Sequence, residues 1–355
     1  MGAQTHDKMH DARALHDLAM AALPAWNIDC AELALIKHRE NAVFKVRTTC
    51  GRLYALRIHR GGYHSDDALR AELQWMAALQ HAGIDVPTVI PTREGDLFIT
   101  RTLPHRPERV QIDLFAWIDG RQLGTSEHGL GRDIVGIAHT YRTIGNVAAR
   151  LHNHATTWRL PDGFVRHAWD AEGLVGEQPF WGRFWELEQL SAEQRALLLR
   201  ARAIVRAELD AMSRSPDHAA CYSLIHADFV PENLLVEDGK VRLLDFDDAG
   251  FGWHLFEIAT ALYFIRKDPL YETAYAALIE GYRECRPLPP AILDKLPVFM
   301  MARGFTYLGW VHTRRDTDVG HELGSYVVTL ACEFAAAFVA RHDSHMTYAP
   351  LGGGA

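Results

Sequence analysis

The five cysteines, Cys30, Cys50, Cys221, Cys285 and Cys332, are scattered through 355 residues without one Cys-x-x-Cys pair. That spacing suggests neither a disulfide framework nor a cysteine-built zinc site, and it fits a reduced, cytoplasmic setting. Basic charge is also short: 37 Lys and Arg against 45 Asp and Glu leave a net charge of −8 with neutral histidines. Such a chain is not drawn to nucleic acid or to an anionic membrane, whereas small cationic molecules are compatible with it. No apolar run approaches bilayer length, the nearest candidate at 327–340 being broken by Glu333. The N-terminal MGAQTHDKMH lacks the basic flank and apolar stretch of a signal peptide, and His6 stands where a myristoylation site has Ser or Thr. G-x-x-x-x-G-K-[ST], G-x-S-x-G and H-E-x-x-H are all missing, which removes support for P-loop, hydrolase-elbow and zincin readings. His152-x-His154 and His342-x-x-His345 have no carboxylate or cysteine partner in a ligand pattern, and no zinc is assigned.

What is present is the composition of a folded protein, 48% hydrophobic and 23% charged, with length for two structural units. The spacing predicts a leading helix over 8–23 and two strands around a Cys50-Gly51 turn in AVFKVRTTCGRLYALRIHR (42–60). A helix over 66–82, N-capped by Asp66 and ended by Gly83, follows, with short strands around 85–118. After Asp119-Gly120 helical periods dominate: 133–153, 191–212, 254–266, 270–283, 291–313 and 321–341, interrupted by strand-like LLVE (234–237) and VRLLDF (241–246). The expected class is α+β: a first lobe of antiparallel sheet plus helix over 1–118, a larger mainly helical lobe over 119–345, and a loose tail at 346–355. Four tryptophans at 158, 169, 181 and 185 are read first as packing, with a substrate wall as the alternative.

The most informative stretch is LIHADFVPENLLVEDGKVRLLDFDD (224–248). Phosphoryl transfer needs a carboxylate to orient the acceptor hydroxyl, and oxygen ligands for Mg²⁺ on the nucleotide phosphates. Asp228 fits the first role, and Asn233 and Asp245 fit the second. His226-x-Asp-x-x-x-x-Asn has the spacing of a kinase catalytic loop, and Asp245-Phe246-Asp247 stands after a strand, turn and strand where Asp-Phe-Gly would. His226 is expected to order the loop. The bland alternative makes all of these turn and capping residues.

On these residues the chain resembles the aminoglycoside phosphotransferase and choline kinase-like superfamily, with DFDDAGFGWHLFEIATAL (245–262) following the catalytic block as in its small-molecule branch. The resemblance implies a bilobal protein-kinase-like fold, ATP and Mg²⁺ as cofactors, and transfer of the γ-phosphate to a hydroxyl of a small molecule. That acceptor would be an amino alcohol, hydroxy amino acid or aminoglycoside-like compound. The family also contains a stress-response protein Ser/Thr kinase, and a pseudokinase without turnover is the third reading.

Tyr54-Ala55-Leu56-Arg57 lies where kinases carry Val-Ala-Ile-Lys, so Arg57 takes the place of the phosphate-binding lysine, with Glu72 as its ion-pair partner. Pairing across the Cys50-Gly51 turn is expected to set Val46 opposite Ala55 on the Arg57 face, roofing the adenine, with Lys45 on the other face. The loop 39–44 has no glycine, and Asn41 is its candidate phosphate contact. By resemblance, the backbone of Ala116 and Trp117 in FAWIDGRQL (115–123) would bind adenine. For the acceptor, Asp247 and its neighbour Asp248 offer carboxylates to an ammonium group, as does Glu232. Arg303, Tyr307 and Trp310 share one face of the 291–313 helix, where Arg303 would hold a substrate carboxylate unless the stripe simply packs.

Overall fold

In the computed structural model the described residues are 2–38, 41–103, 108–123, 130, 132–237, 240–315 and 318–348. They fall into two compact units, one of Met1–Arg121, Arg159–Arg166 and Arg242–Asp247, the other of Gln122–Trp158, His167–Val241 and Asp248–Ala355.

The first unit opens with α1 (Gly2–Ala22) and carries β1 (Cys30–His38), β2 (Ala42–Thr48), β3 (Leu53–Ile58), α2 (Asp66–His81), β4 (Phe98–Thr102) and β5 (Arg109–Ala116). Its five strands form one antiparallel sheet in the order β1-β2-β3-β5-β4. One face of that sheet is apolar: Phe44, Val46, Leu56, Ile112 and Leu114 are fully buried together with Leu23 and Ala22 at the end of α1. The alternation of side chains along each strand then puts Arg57 and Asp113 on the opposite face.

The β2–β3 connection corrects the expected register. Thr48 and Arg52 close a three-residue loop, with Thr48 N–H on Arg52 O at 2.9 Å and Gly51 N–H on Thr48 O at 2.9 Å. Gly51 there takes a φ of 84°, which a side chain would strain. Ala55 consequently pairs with Lys45, and Val46 with Tyr54. A one-residue slip exchanges the two faces of a strand. Val46 is therefore a core residue with no exposed surface rather than an adenine roof, and it is Lys45 that shares the Arg57 face. Helix α2 forms as predicted, but Ser65 is its N-cap, accepting from the Ala68 amide at 3.1 Å, with Asp66 and Asp67 in its first turn.

The remaining elements in chain order are β6 (Arg121–Gln122), α3 (Ile134–Thr157), β7 (Ala168–Trp169), α4 (Ala171–Val175), α5 (Ala192–Ser213), α6 (His218–Cys221) and β8 (Tyr222–Ile225). They are followed by β9 (Leu234–Glu237), β10 (Lys240–Leu243), β11 (Gly250–Trp253), α7 (His254–Tyr263), α8 (Tyr271–Cys285), α9 (Pro290–Leu293), α10 (Leu296–Thr313) and α11 (Asp318–Tyr348). Helices α3 and α8 approach so closely that a Cβ on Gly145 or Gly281 would run into the backbone of the facing helix. The single helix expected over 291–313 is two, because Pro297 can stand only in the first turn of a new helix. α11 runs to Tyr348, so the first residues of the expected loose tail are helical, and 349–355 lie outside the described residues. Leu323–Ser344 of α11 is long and apolar enough by length and composition to cross a membrane, which the sequence reading of 327–340 had excluded. In the second unit this helix packs on α10 and α5.

Candidate active site

The first unit assembles a buried charge network on the polar face of its sheet. Arg57 on β3 stands directly across from Asp113 on β5. Its Nε donates to Asp113 Oδ1 at 3.1 Å and its Nη2 to Asp113 Oδ2 at 2.7 Å, while Nη2 also donates to Glu72 Oε1 at 2.8 Å. The expected Arg57–Glu72 pair is thus present, with a second carboxylate that spacing did not reveal. Nη1 makes no hydrogen bond among the described residues and lies 3.9 Å from Asp245 Oδ1. It is the edge of the guanidinium that could take a phosphate.

His59, the residue just after β3, brings Nε2 to 2.9 Å from Asp113 Oδ2 and Nδ1 to 3.7 Å from Asp247 Oδ1. Burial and Arg57 push this imidazole down, but Asp113 and Asp247 outweigh them and lift its pKa to about 9. Burial likewise pushes the Asp113 carboxyl up, and Arg57 and His59 more than reverse it. Asp247 is only 7% exposed, flanked by His59 and by His64, whose Nε2 lies 2.8 Å from its carbonyl oxygen. Asp247, expected to meet an acceptor ammonium, instead lies buried in the first unit with its carboxylate between the imidazoles of His59 and His64.

Asp245 takes a φ of 62°, unusual for a residue with a side chain, and its Oδ1 is buried without a hydrogen-bond partner. A hard cation with oxygen ligands fits that orphaned atom. Lys37 Nζ stands 3.9 Å from Asp245 Oδ2. Asn41 is buried and accepts from the Arg60 amide at 3.1 Å through Oδ1, so Nδ2 is what it has for a phosphate; Arg39 and Glu40 lie outside the described residues. Ala55 lies on the Arg57 face opposite Phe115, and Lys45 places its ammonium 4.1 Å over the Trp117 ring. For the backbone contacts to adenine expected at Ala116 and Trp117, both amides are already engaged. Ala116 N–H already donates to Thr88 O at 2.9 Å and Trp117 N–H to Leu53 O at 3.2 Å. Any contact these residues make with adenine falls to their carbonyl oxygens.

The second unit holds the catalytic loop, which leaves β8 at His226. Glu257, in the first turn of α7, accepts the His226 amide on Oε1 at 2.8 Å and the Ala227 amide on Oε2 at 2.7 Å. Ala227 is left-handed, with φ 64°, a conformation that Ala holds only when its surroundings impose it. His226 is fully buried, and its Nδ1 accepts from the Asp228 amide at 3.1 Å. Asp228 is then gripped on both oxygens: Arg303 Nη2 donates to Oδ1 at 2.8 Å and Asn233 Nδ2 to Oδ2 at 2.6 Å. Asn233 Oδ1 is the side-chain atom that could serve a cation.

Arg303 is fully buried and also donates to Ala227 O at 3.1 Å and to the Tyr307 hydroxyl at 2.7 Å. The carboxylate it holds is therefore that of Asp228, not a substrate's. Trp310 does not join this group; its ring lies under Arg314 at 4.7 Å. Trp181 stacks on Arg303 at 4.9 Å and donates to Asp248 Oδ1 at 3.3 Å, and Trp169 donates to Asp248 O at 2.9 Å. Both tryptophans are buried, so the packing reading holds for them. Behind the loop His152 and His254 stack at 4.0 Å, each held well below an ordinary imidazole pKa by burial and hence neutral. His152 Nε2 lies 3.7 Å from Glu257 Oε1. Burial pushes Glu257 up, against the lowering by His226, the two amides and Arg303.

Asp113, His59, Glu257 and Arg166 carry no site role in the sequence reading. Their partners lie dozens of residues away, and no local motif announces them. Only Glu257, an acid at the start of a strongly apolar helix shortly after the catalytic block, carried a legible signal.

The sequence profile of the Phosphotransferase enzyme family matches residues 32–288. The chain is 24% identical to amicoumacin kinase of Bacillus subtilis (strain 168) over 291 residues, 76% of this chain and 77% of that protein. The solved structure of a microcompartment-associated aminopropanol kinase superposes with a TM-score of 0.80 at 31% identity, covering 92% of this chain and 98% of that one. Amicoumacin kinase hAmiN in complex with AMP-PNP, Ca²⁺ and Ami superposes with a TM-score of 0.70 at 18% identity, covering 94% and 96%. The fold shared with these structures is the mixed α+β, protein-kinase-like one.

Proposed function

The chain belongs to the phosphotransferase enzyme family, and from that premise we propose an ATP- and Mg²⁺-dependent kinase that phosphorylates a hydroxyl of a small amine-bearing acceptor. Amino alcohols, hydroxy amino acids and aminoglycoside-like compounds are the classes that fit. The observation carrying this reading is Asp228, held on both carboxylate oxygens by Arg303 and Asn233 while Glu257 fixes the loop backbone.

A carboxylate paired with a buried guanidinium is a weak base. Asp228 therefore acts mainly by orienting the acceptor hydroxyl, and it takes the proton late, as the oxygen bonds to the γ-phosphorus and the bond to the β-phosphate oxygen breaks. Asn233 and Asp245 would hold the cation, which supplies charge neutralisation on the phosphates when bound. The Nη1 edge of Arg57, which makes no hydrogen bond among the described residues, serves the same phosphates, and because its other nitrogens are locked on Asp113 and Glu72 it needs no reorganisation to do so. On the acceptor side, Asp248 and Glu232 lie near enough to act electrostatically on Arg303 and Tyr307, so an ammonium group meets an acidic, aromatic surround. The aminopropanol kinase resemblance supports an amino alcohol. The same reading places the protein in the cytoplasm without a nucleic-acid or membrane partner, in keeping with its net charge of −8.

The test is ADP release by purified protein with MgATP across a panel of amino alcohols, hydroxy amino acids, aminoglycosides and denatured polypeptide. Stimulation by one small-amine class is expected. Stimulation by polypeptide alone would replace this reading with a protein kinase, and nucleotide binding without turnover on any acceptor would replace it with a pseudokinase.

A further inference from the structure

Arg166 belongs to no motif. It ends the segment Arg159–Arg166, which is grouped with the first unit although the chain on either side belongs to the second. Its side chain is 1% exposed. Nη1 donates to Ala68 O at 3.1 Å and to Glu72 Oε2 at 3.4 Å; Nη2 donates to Asp247 O at 2.5 Å and to Phe246 O at 3.4 Å. One guanidinium thus ties α2 to the backbone just beyond Asp245.

Two further observations show that this turn needs holding. Asp245 is left-handed at φ 62°, and its Oδ1 is buried without a hydrogen bond. Phe246 is fully buried with its ring edge-on to Trp75 of α2 at 5.6 Å, so the same helix pins the turn by its side chain as well as by its carbonyls. Glu72, His64 and Asp247 bring ligand atoms within 4.8 Å of one another. Both Glu72 oxygens are already taken, one by Arg57 and one by Arg166, so this trio is a charge-balanced node and not a second cation site.

The chain after Arg166 continues the pattern. His167 Nε2 lies 3.1 Å from Asp248 O, and Trp169 Nε1 donates to the same oxygen at 2.9 Å. Carbonyls 246 and 247 are therefore bound by Arg166, and carbonyl 248 by His167 and Trp169.

We infer that Arg166 is a positioning residue for the cation-binding carboxylate: by fixing the Phe246 and Asp247 carbonyls against α2 it presents Asp245 in its left-handed conformation, with Oδ1 free of a hydrogen bond. The inference rests on the reading of Asp245 as a metal ligand. Lysine replaces it only in part, because a single ammonium lacks the planar fork that reaches carbonyls on one side and Glu72 on the other. Outer-shell partners of this kind are typically worth roughly 10–100-fold in metal affinity.

The experiment is calorimetric binding of ADP to the full-length protein with and without Mg²⁺, for wild type, Arg166→Met and Arg166→Lys, with thermal unfolding of each. It needs no acceptor. The wild type is expected to bind ADP more tightly with Mg²⁺, Arg166→Met to lose roughly 10–100-fold of that gain with metal-free binding unchanged, and Arg166→Lys to fall between. If the wild type shows no gain from Mg²⁺, the metal role of Asp245 is wrong and this inference falls with it. If the wild type shows the gain and Arg166→Met keeps it, only the role of Arg166 is wrong. Should Arg166→Met not fold, Arg166→Lys carries the comparison, and failure of both to fold would assign Arg166 to the fold and overturn the inference.

Discussion

Replacing Arg57 by lysine restores the residue that kinases usually carry at this strand position, yet the structure predicts damage. Arg57 makes three charged hydrogen bonds to two carboxylates with no exposed side-chain surface, two of them as a fork on Asp113. An ammonium retains the charge but cannot match the fork and also reach Glu72. At least one charge-assisted bond to a buried carboxylate is lost, worth about 1.5–3 kcal/mol. The upper bound is about 3–5 kcal/mol for a buried pair broken outright. An expected loss of about 2–3 kcal/mol follows, read as a lower urea midpoint for Arg57→Lys, together with a raised KM for ATP because the ammonium has no fixed edge for the phosphates. Asp113→Asn in both backgrounds completes a cycle whose coupling should exceed about 0.5 kcal/mol, since the residues touch. Equal midpoints for wild type and Arg57→Lys, or additive effects in the cycle, would refute the argument that Asp113 is what makes arginine necessary here.

Three other outcomes follow from the same geometry. His59, with its pKa raised to about 9 in the folded protein, contributes stability that is complete below its unfolded value near 6.5 and is lost as pH rises through about 9; urea midpoints should therefore fall across that window, by on the order of 3 kcal/mol in all, and His59→Gln should flatten the fall. Glu257→Gln turns one acceptor of the catalytic-loop amides into a donor, and the loss of about 1.5–3 kcal/mol predicts a drop in kcat of roughly 10–100-fold with KM for ATP little changed in steady-state kinetics. Arg303→Met removes the charged hydrogen bond to Asp228 Oδ1 and should lower kcat by at least about tenfold while calorimetric binding of MgADP is preserved; weakened nucleotide binding would show that Arg303 does more than hold Asp228.

The catalytic block was legible because its chemistry is local: Asp228, Asn233 and Asp245 sit at short fixed separations, and the elements around them could be read from periodicity. The register of β2 and β3 was not, because it turns on whether the connection contains two residues or three, and Gly51 is compatible with both. That single residue decided the placement of Val46 and Lys45. The charge network escaped for another reason. Arg57 meets Asp113 across 56 positions of sequence and Arg166 meets Glu72 across 94, and a lone Asp in the apolar run VQIDLFAWI gives no sign of which cation it neutralises. Arg303 was placed on the right helix face but given the wrong partner, since a carboxylate supplied by the protein and one supplied by a substrate look alike until the loop is folded.

The central claim is that Asp228 directs transfer of the γ-phosphoryl group of ATP to an acceptor hydroxyl. Mass spectrometry of the acceptor after incubation with MgATP, for wild type and Asp228→Asn side by side, tests it most directly. The account predicts a phosphate monoester on a small amine-bearing alcohol that forms with the wild type and is lost with the variant. A monoester formed equally by Asp228→Asn, or ATP consumed with no phosphorylated acceptor, would contradict it.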